Sequence, residues 1–548
     1  MQTVSDNWKN AHEKHILNEM FVEVSMDIGD PDSIADAKSQ GAQDNGSVYI
    51  SDSSKLTDGV DKTPTPYCTL EQNLWCLDGK RKAIPESDFG DGSYVGDVLS
   101  DDTCIFSTKL PVITIGFSKV FDKLIPGVTI TWSPTYGEFA DTFVVVAYNG
   151  DTVVAEKEVV GNRSVKSLIL TEIEGYNRIE IIIKKWCLPH HRARVEGIFV
   201  GLNKVYGKNE LFDYSHAQSV DPLSLSLPKT EIRFSVSNVD GEYNPYNANG
   251  IAKYLMERQE VKSRYGMKMD DGSIEWIKGG TFYLSEWYAK QNGIVAEFTA
   301  RDMLEFMSTI YHDWRRDTGA LNARSMGSLA EDLLMAADLP KNADGTNKWV
   351  IHKDLYNENA EYLTLRWLPE DTIANCLQTI ANAARCVMYQ DRDGVLHIEP
   401  LGDDTTTSND TDYKINSFNS YAKSEITLSK PIKQVIVEGY VWDDFEQVAS
   451  RDDVPYPLEG YLNPTGEIIS IDNPIVTYEL GQRLLGEWAA TYLGHRMTLD
   501  LSWRPDVRLD ALDIVTNENE YVKNRVRMTD VEFKYNGAFR ATGKGKVI

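Results

Sequence analysis

Between residues 111 and 202 apolar and polar positions alternate in short runs. Val112-Ile113-Thr114-Ile115 opens the series, and Gly127-Val128-Thr129-Ile130-Thr131-Trp132 continues it. Phe143–Tyr148 is an unbroken apolar run, and Asn149-Gly150 is a hairpin signal ahead of Thr152–Ala155. Arg178–Lys184 and Val195–Val200 follow. Period-two alternation puts successive side chains on opposite faces of a strand, so these runs predict a β-sandwich of jelly-roll type. Beyond residue 210, Leu223, Leu225 and Leu227 alternate with serines, and Ile232, Phe234 and Val236 alternate with Arg233, Ser235 and Ser237. Each set predicts one half-buried strand, with breaks at Pro228 and Asp240-Gly241, and strands follow at Thr281–Leu284 and Ile294–Thr299.

The period then changes. Ser328-Leu329-Ala330-Glu331 reads as a capping box, and Pro369 is expected in the first turn of the next helix. Ile373, Leu377, Ile380 and Ala384 form one helical stripe. Val387–Tyr389, the turn Asp391-Arg392-Asp393-Gly394 and Val395–Ile398 predict a hairpin, and a last helix is expected over about 478–492. Met497, Leu499, Leu501 and Trp503 then share one strand face, followed by strands at 514–515, 526–528 and 531–535. Ahead of the sandwich lie a strand at Phe21–Met26 and a turn-rich stretch with Asp58-Gly59, Asp78-Gly79 and Asp91-Gly92, in which Trp75 and Leu77 are expected as buried anchors. The fold class read from this is mainly β with some α and several domains. These are an N-terminal segment (1–110), the sandwich (111–205), a β domain (206–310), a mixed α/β domain (311–400) and a C-terminal β domain with one helix (401–548).

Charge narrows the partners. The 548 residues carry 83 Asp and Glu against 56 Lys and Arg, a formal net charge of −27. That excludes a nucleic-acid-coating protein, which needs cationic surface to displace phosphate counterions, and a polybasic membrane-surface binder. Apolar runs stay at strand length, below the ~20 residues of a membrane helix, so no membrane span is expected. Met1–Asn18 is polar and charged, so no export signal is expected either. None of the six cysteines forms a CxxC pair; Cys376 and Cys386 read as buried small apolar residues.

The sequence contains no HExxH, GxSxG or GxGxxG. Asp391–Gly394 begins like a calcium loop, but Val395 and Gly402 stand where further oxygen ligands are needed, so it reads as a hairpin turn. No catalytic residue, cofactor or metal is therefore expected. One cluster stands out in the acidic chain: Trp186, Cys187, Pro189, His190, His191, Arg192 and Arg194. Aromatic faces stack on sugar C–H surfaces, and Arg or His bonds hydroxyls or phosphates. With Trp132 and Tyr136 on another loop end, the candidate glycan contacts are Trp132, Tyr136, Trp186, His190, His191 and Arg192. The bland reading of the same cluster is a loop between sandwich strands with one buried Trp.

Several segments together resemble the baseplate hub, or tail-associated minor tail protein, of tailed phages and prophages of Gram-positive bacteria. They are Val220–Pro228 running into Glu231–Pro245, Leu377–Arg385 followed by Met388–Pro400, Trp503–Val515 with Tyr535–Phe539, and Thr69–Gly79 near the front. The resemblance implies β-barrel hub domains that cap the tail tube and join it to the tip. It implies a trimer, bound to tail tube or distal tail protein and to tip or fibre, in a virion tail assembled in the host cytoplasm, with DNA passing unbound. The sandwich is a departure, similar to carbohydrate-recognising modules. Many relatives carry a C-terminal wall hydrolase, and the strand pattern running to Ile548 is read as leaving no room for one. The expected function is thus a non-enzymatic hub lining the DNA channel. The alternatives are an adhesin recognising host wall carbohydrate and a wall-glycan hydrolase.

Overall fold

The computed structural model describes the chain except residues 15–17, 42–50, 60–61, 63, 84–91, 248–249, 291–292, 321, 343–344, 403–409, 444–447 and 519–522. The expected turn at Asp91-Gly92 thus falls partly outside the described residues. The fold is mainly β, built of several sheets with short helices. The chain forms two compact units. One comprises Met1–Val24, Tyr206–Gly241 and Glu260–Ile548; the other Ser25–Val205 and Glu242–Gln259.

The second unit contains the sandwich. One sheet has the order Lys38–Gly41, Val112–Phe121, Tyr176–Trp186, Ala140–Asn149, Thr152–Val160; another runs Gly197–Phe199, Ile125–Thr131, Lys166–Ile173. Register places Phe143, Val145 and Ala147 opposite Ile183, Ile181 and Ile179. All six are buried, and Val128, Ile130 and Trp132 from the smaller sheet join the same core. Gly127 is required where strands press together: with φ +145°, a Cβ there would stand 1.8 Å from the Ile169 carbonyl oxygen. A third pairing, Arg192–Val195 against Tyr94–Leu99, adds Tyr94, Ala193 and Val195 to this core.

In the first unit one long sheet runs Met20–Val24, Glu260–Lys268, Ile274–Ala289, Val295–Arg301, Lys229–Ser237, Leu211–Ser219, Lys523–Tyr535, Phe539–Val547, Met497–Trp503, Glu425–Leu428. Phe234 pairs with Phe298, their rings stacked at 5.1 Å. Among the described residues no sheet closes on itself, so the β-barrels expected of the hub domains are replaced by open sheets. A separate three-stranded sheet, Val448–Tyr456, Ile432–Asp443 and Glu467–Asp472, shares its core with the helices Met326–Ala336, Ile373–Ala383 and Glu479–Gly494.

Local departures have local causes. Leu223–Leu227 is a turn, not a strand: the Asp221 carboxylate accepts the N–H groups of Leu223 (3.0 Å) and Leu225 (2.9 Å), which bends the backbone. Leu225 and Leu227 are consequently exposed. The capping box at Ser328 is corrected: the cap is Ser325, whose hydroxyl accepts the Ser328 N–H, and the helix starts at Met326. Pro369 precedes its helix, which is capped by Thr372. Leu74 is the buried anchor of its loop, whereas Trp75 and Leu77 are 56% and 70% exposed. The Asp391–Gly394 turn is the hairpin expected: the Asp391 carboxylate accepts from Asp393 and Val395, and Gly394 takes φ +78°.

Candidate functional site

The residues of the sequence cluster meet at one end of the sandwich, within the second unit. After Pro189 the chain turns through His190 (φ +58°) into Arg192–Val195. A bulge between Arg192 and Arg194 breaks the alternation there, and Ala193, Arg194 and Val195 are all buried, Arg194 at 4% exposed. Its guanidinium donates to both oxygens of Glu71, 2.8 Å from Nη1 to Oε2, and reaches Glu138 at 3.4 Å. Glu71 also accepts the Arg192 N–H at 2.8 Å. Glu138 accepts the Trp186 indole N–H at 2.9 Å and meets His191 Nδ1 at 2.8 Å. Beside it Glu196 accepts the Ser133 hydroxyl, 2.8 Å, and the Thr135 N–H.

Two buried carboxylates thus face one arginine and one histidine. Burial alone raises the Glu71 carboxyl, but the hydrogen bonds and charge of Arg194 overcome it and hold the group below its ordinary range. Burial likewise opposes charge on His191, yet the bond to Glu138 and the charges of Glu138 and Glu71 raise it above the ordinary imidazole value. Glu196 has no such cation in hydrogen-bond contact, and burial raises it. These groups are engaged by one another, and what the arrangement does is fasten the Tyr67–Lys82 loop to the sandwich. Cys68 and Lys82 bond across the loop's base (2.8 Å), and Arg81 donates to the Asn73 carbonyl oxygen (3.2 Å).

The candidate contacts divide accordingly. Trp132 and Trp186 are fully buried, edge to face at 6.1 Å, with the Trp132 indole N–H on Ser167 (2.8 Å). Neither ring offers a face to a sugar, which corrects both as stacking platforms. His191 is buried on Glu138. Arg192 is half-buried and donates to the carbonyl oxygens of Gly96 (2.9 Å) and Asp97 (2.7 Å). Tyr136 lines a shallow cleft with Tyr67, Thr69, Tyr94 and Arg194, but the guanidinium carbons of Arg194 and Arg81 lie over its ring at 4.6 and 5.7 Å. His190 alone of the six is exposed, 2.8 Å from Asp102. Sequence reading missed Glu71 and Glu138 as the partners that organise the site. They stand 123 and 56 residues from Arg194, with no periodic spacing to announce them. Among the described residues no group of three or more His, Cys, Asp or Glu could hold a metal ion, and no helix is long and apolar enough to cross a membrane.

No family model and no curated protein sequence matches the chain. Among solved structures it is similar to the 43 kDa tail protein of prophage MuSo2 from Shewanella oneidensis, at 12% identity over 62% of this chain and 95% of that one, TM-score 0.42. It is similar to the tail protein from Neisseria meningitidis MC58, at 12% identity over 63% and 93%, TM-score 0.41. It is also similar to prophage tail protein gp18 from Listeria monocytogenes EGD-e, at 9% identity over 63% and 91%, TM-score 0.38. All three carry the name tail protein, and two of them come from prophages.

Proposed function

We propose that the chain is a structural protein of a phage tail baseplate, a hub that joins the tail tube to the tip and surrounds the path of the DNA. The observation that supports this is the unfinished edge of the long sheet. Among the described residues Glu425–Leu428 pairs on one side only, with Met497–Trp503, and all four of its residues are exposed. Ile426 and Leu428 are 62% and 61% exposed. No proline or lysine interrupts the strand. Solitary proteins blunt or cover such edges, because free backbone N–H and C=O groups recruit another strand. An edge that turns Ile426 and Leu428 to the surface suits a protein that is completed by assembly, and a ring of three copies is the reading that fits a hub. The net charge of −27 adds to it, since an acidic wall lets DNA pass without holding its phosphates. The test is the solution mass of the purified chain, with immunolabelling of purified tails. A monomer at micromolar concentration together with absence from tails sinks the proposal.

A second reading, contact of the sandwich unit with host wall glycan, is favoured by one observation. The Tyr67–Lys82 loop exposes an indole although it is bolted down by the buried Glu71–Arg194 pair. Retention of the intact chain on isolated host walls tests it. Zymography on the same walls tests the non-enzymatic reading, which clearing would overturn.

A further inference from the structure

We infer that Lys546 is an acylation site, a nucleophilic amine that takes up the acyl group of an acyl phosphate. It lies on the strand Phe539–Val547 of the first unit, where register places it between Thr498 on one neighbouring strand and Arg527 on the other. Directly opposed residues share a face of the sheet, so its flanking side chains are a hydroxyl and a cation. The Lys546 ammonium stands over the Tyr492 ring, 4.2 Å from the centroid. The side chain is half-buried; among the described residues it makes no hydrogen bond or ion pair, yet its nitrogen is not sealed from solvent. Arg527, fully buried across from it, donates to the Gly402 carbonyl oxygen (3.1 Å) and brings no negative charge. Lys544, two residues back on the same face, is the contrast: it is exposed and pairs with Asp500 at 3.5 Å.

An amine is a nucleophile only once it has lost its proton. Desolvation and a neighbouring cation both favour that form, and Lys546 has both. Burial pulls the amine down to about 8, against the Asp221 carboxylate, which acts the other way. At about pH 7.5 an ordinary lysine is neutral roughly once in a thousand, and Lys546 about once in four. In the reaction the nitrogen lone pair attacks the acyl carbon. The C–N bond forms as the C–O bond to phosphate breaks, phosphate leaves with that electron pair, and the surplus amine proton passes to water. Lys546 is offered a ring face and no hydrogen-bonding partner to act as general acid, so the donor must bring a leaving group that departs unaided, as phosphate does. The backbone holds the amine in place: Val547 pairs with Val526, and the Ile548 N–H donates to the Arg525 carbonyl oxygen (3.0 Å). Acylation removes the charge that faces Arg527 and lays an amide against Tyr492, at the end of the helix Glu479–Gly494.

The test is incubation of the full chain with acetyl phosphate from about pH 7 to about pH 9, with the acetylation rate of each lysine read by peptide mass spectrometry. At about pH 7.5 Lys546 is expected to react roughly tenfold faster than Lys544, its larger neutral fraction being partly offset by its weaker basicity. Its rate is expected to level off above about pH 8.5, while that of Lys544 keeps rising. Thr498→Asp supplies the missing carboxylate and is expected to slow Lys546 several-fold. Thr498→Asn, of the same size without the charge, is expected to leave the rate as it was. Equal rates at Lys546 and Lys544 overturn the inference, and that comparison within the unaltered chain needs no variant to fold. An unaltered rate in Thr498→Asp, or equal slowing by both variants, overturns it as well.

Discussion

Arg392 enters the first unit's interior from a hairpin turn and meets Asp510 at 2.7 Å from Nε to Oδ1. The same guanidinium donates to the carbonyl oxygens of Lys278 (2.7 Å) and Leu509 (3.1 Å), and its side chain is 3% exposed. One residue of a β-turn thereby pins two segments that are more than a hundred positions away in opposite directions along the chain.

Arg392→Ala should therefore be far costlier than an ordinary turn substitution. It removes the cation beside Asp510, a carboxylate 21% exposed that keeps Gln2 and Gln218 as donors, and leaves two carbonyl oxygens without theirs, which costs about 2–3 kcal/mol. Denaturant unfolding of the variant checks this. Arg392→Lys, which keeps the charge but loses the fork, should restore only part of the loss.

Glu71→Ala leaves Arg194 buried against Glu138 alone. The expected result is local: amides between Tyr67 and Lys82 lose hydrogen-exchange protection, while those of Tyr176–Trp186 keep theirs.

Two buried groups of the first unit should tilt stability against pH in opposite directions. Burial pushes the Asp302 carboxyl up to about 7, although it accepts the Thr230 and Leu304 N–H groups. The folded protein holds that proton more tightly than the unfolded chain, so this group's contribution falls as pH rises from about 4 to about 7. Burial pulls His216, bonded to the Tyr265 hydroxyl at 2.7 Å, down to about 3. The unfolded chain then binds the extra proton, so His216 adds stability that is complete above about 6.5 and lost as pH falls towards about 3. Between about pH 4 and 6.5 the two slopes oppose and nearly cancel, so Asp302→Asn should leave a rise in stability across that window and His216→Gln a decline. Chemical unfolding across that window reads both slopes.

Ile426→Lys places a charge on the open strand Glu425–Leu428 without touching a buried side chain. If that edge joins copies, the mass in solution should drop to that of one chain, with thermal unfolding otherwise unchanged. Light scattering checks it.

The alternating runs were legible because burial enforces them: Ile179, Ile181 and Ile183 face the core as their spacing requires, and Leu377 and Ile380 do so on a helix. Legibility failed where a side chain captured the backbone. Asp221 bends Leu223–Leu227, and Ser325 starts a helix that Ser328 advertises three residues late. It failed also where apolar character was taken for burial. On that loop the inward places go to Cys68, Glu71 and Leu74, which leaves Trp75 and Leu77 outside. At the site, the cluster around Trp186 was visible and its role was not. An aromatic ring reads the same in sequence whether it stacks on a ligand or fills a core, and only Glu138 on the indole N–H distinguishes them.

The interleaving of the two units sets a timetable for synthesis. The unit containing the sandwich has all its residues once Gln259 has emerged. The other unit needs Lys523–Tyr535 beside Leu211–Ser219, with Ser215 pairing Lys534, before its sheet is continuous. Some 276 residues separate those moments, on the order of 14–55 s of bacterial translation. Throughout that interval Leu211–Ser219 has one unsatisfied flank, so the nascent chain should depend on chaperones until its last strands arrive.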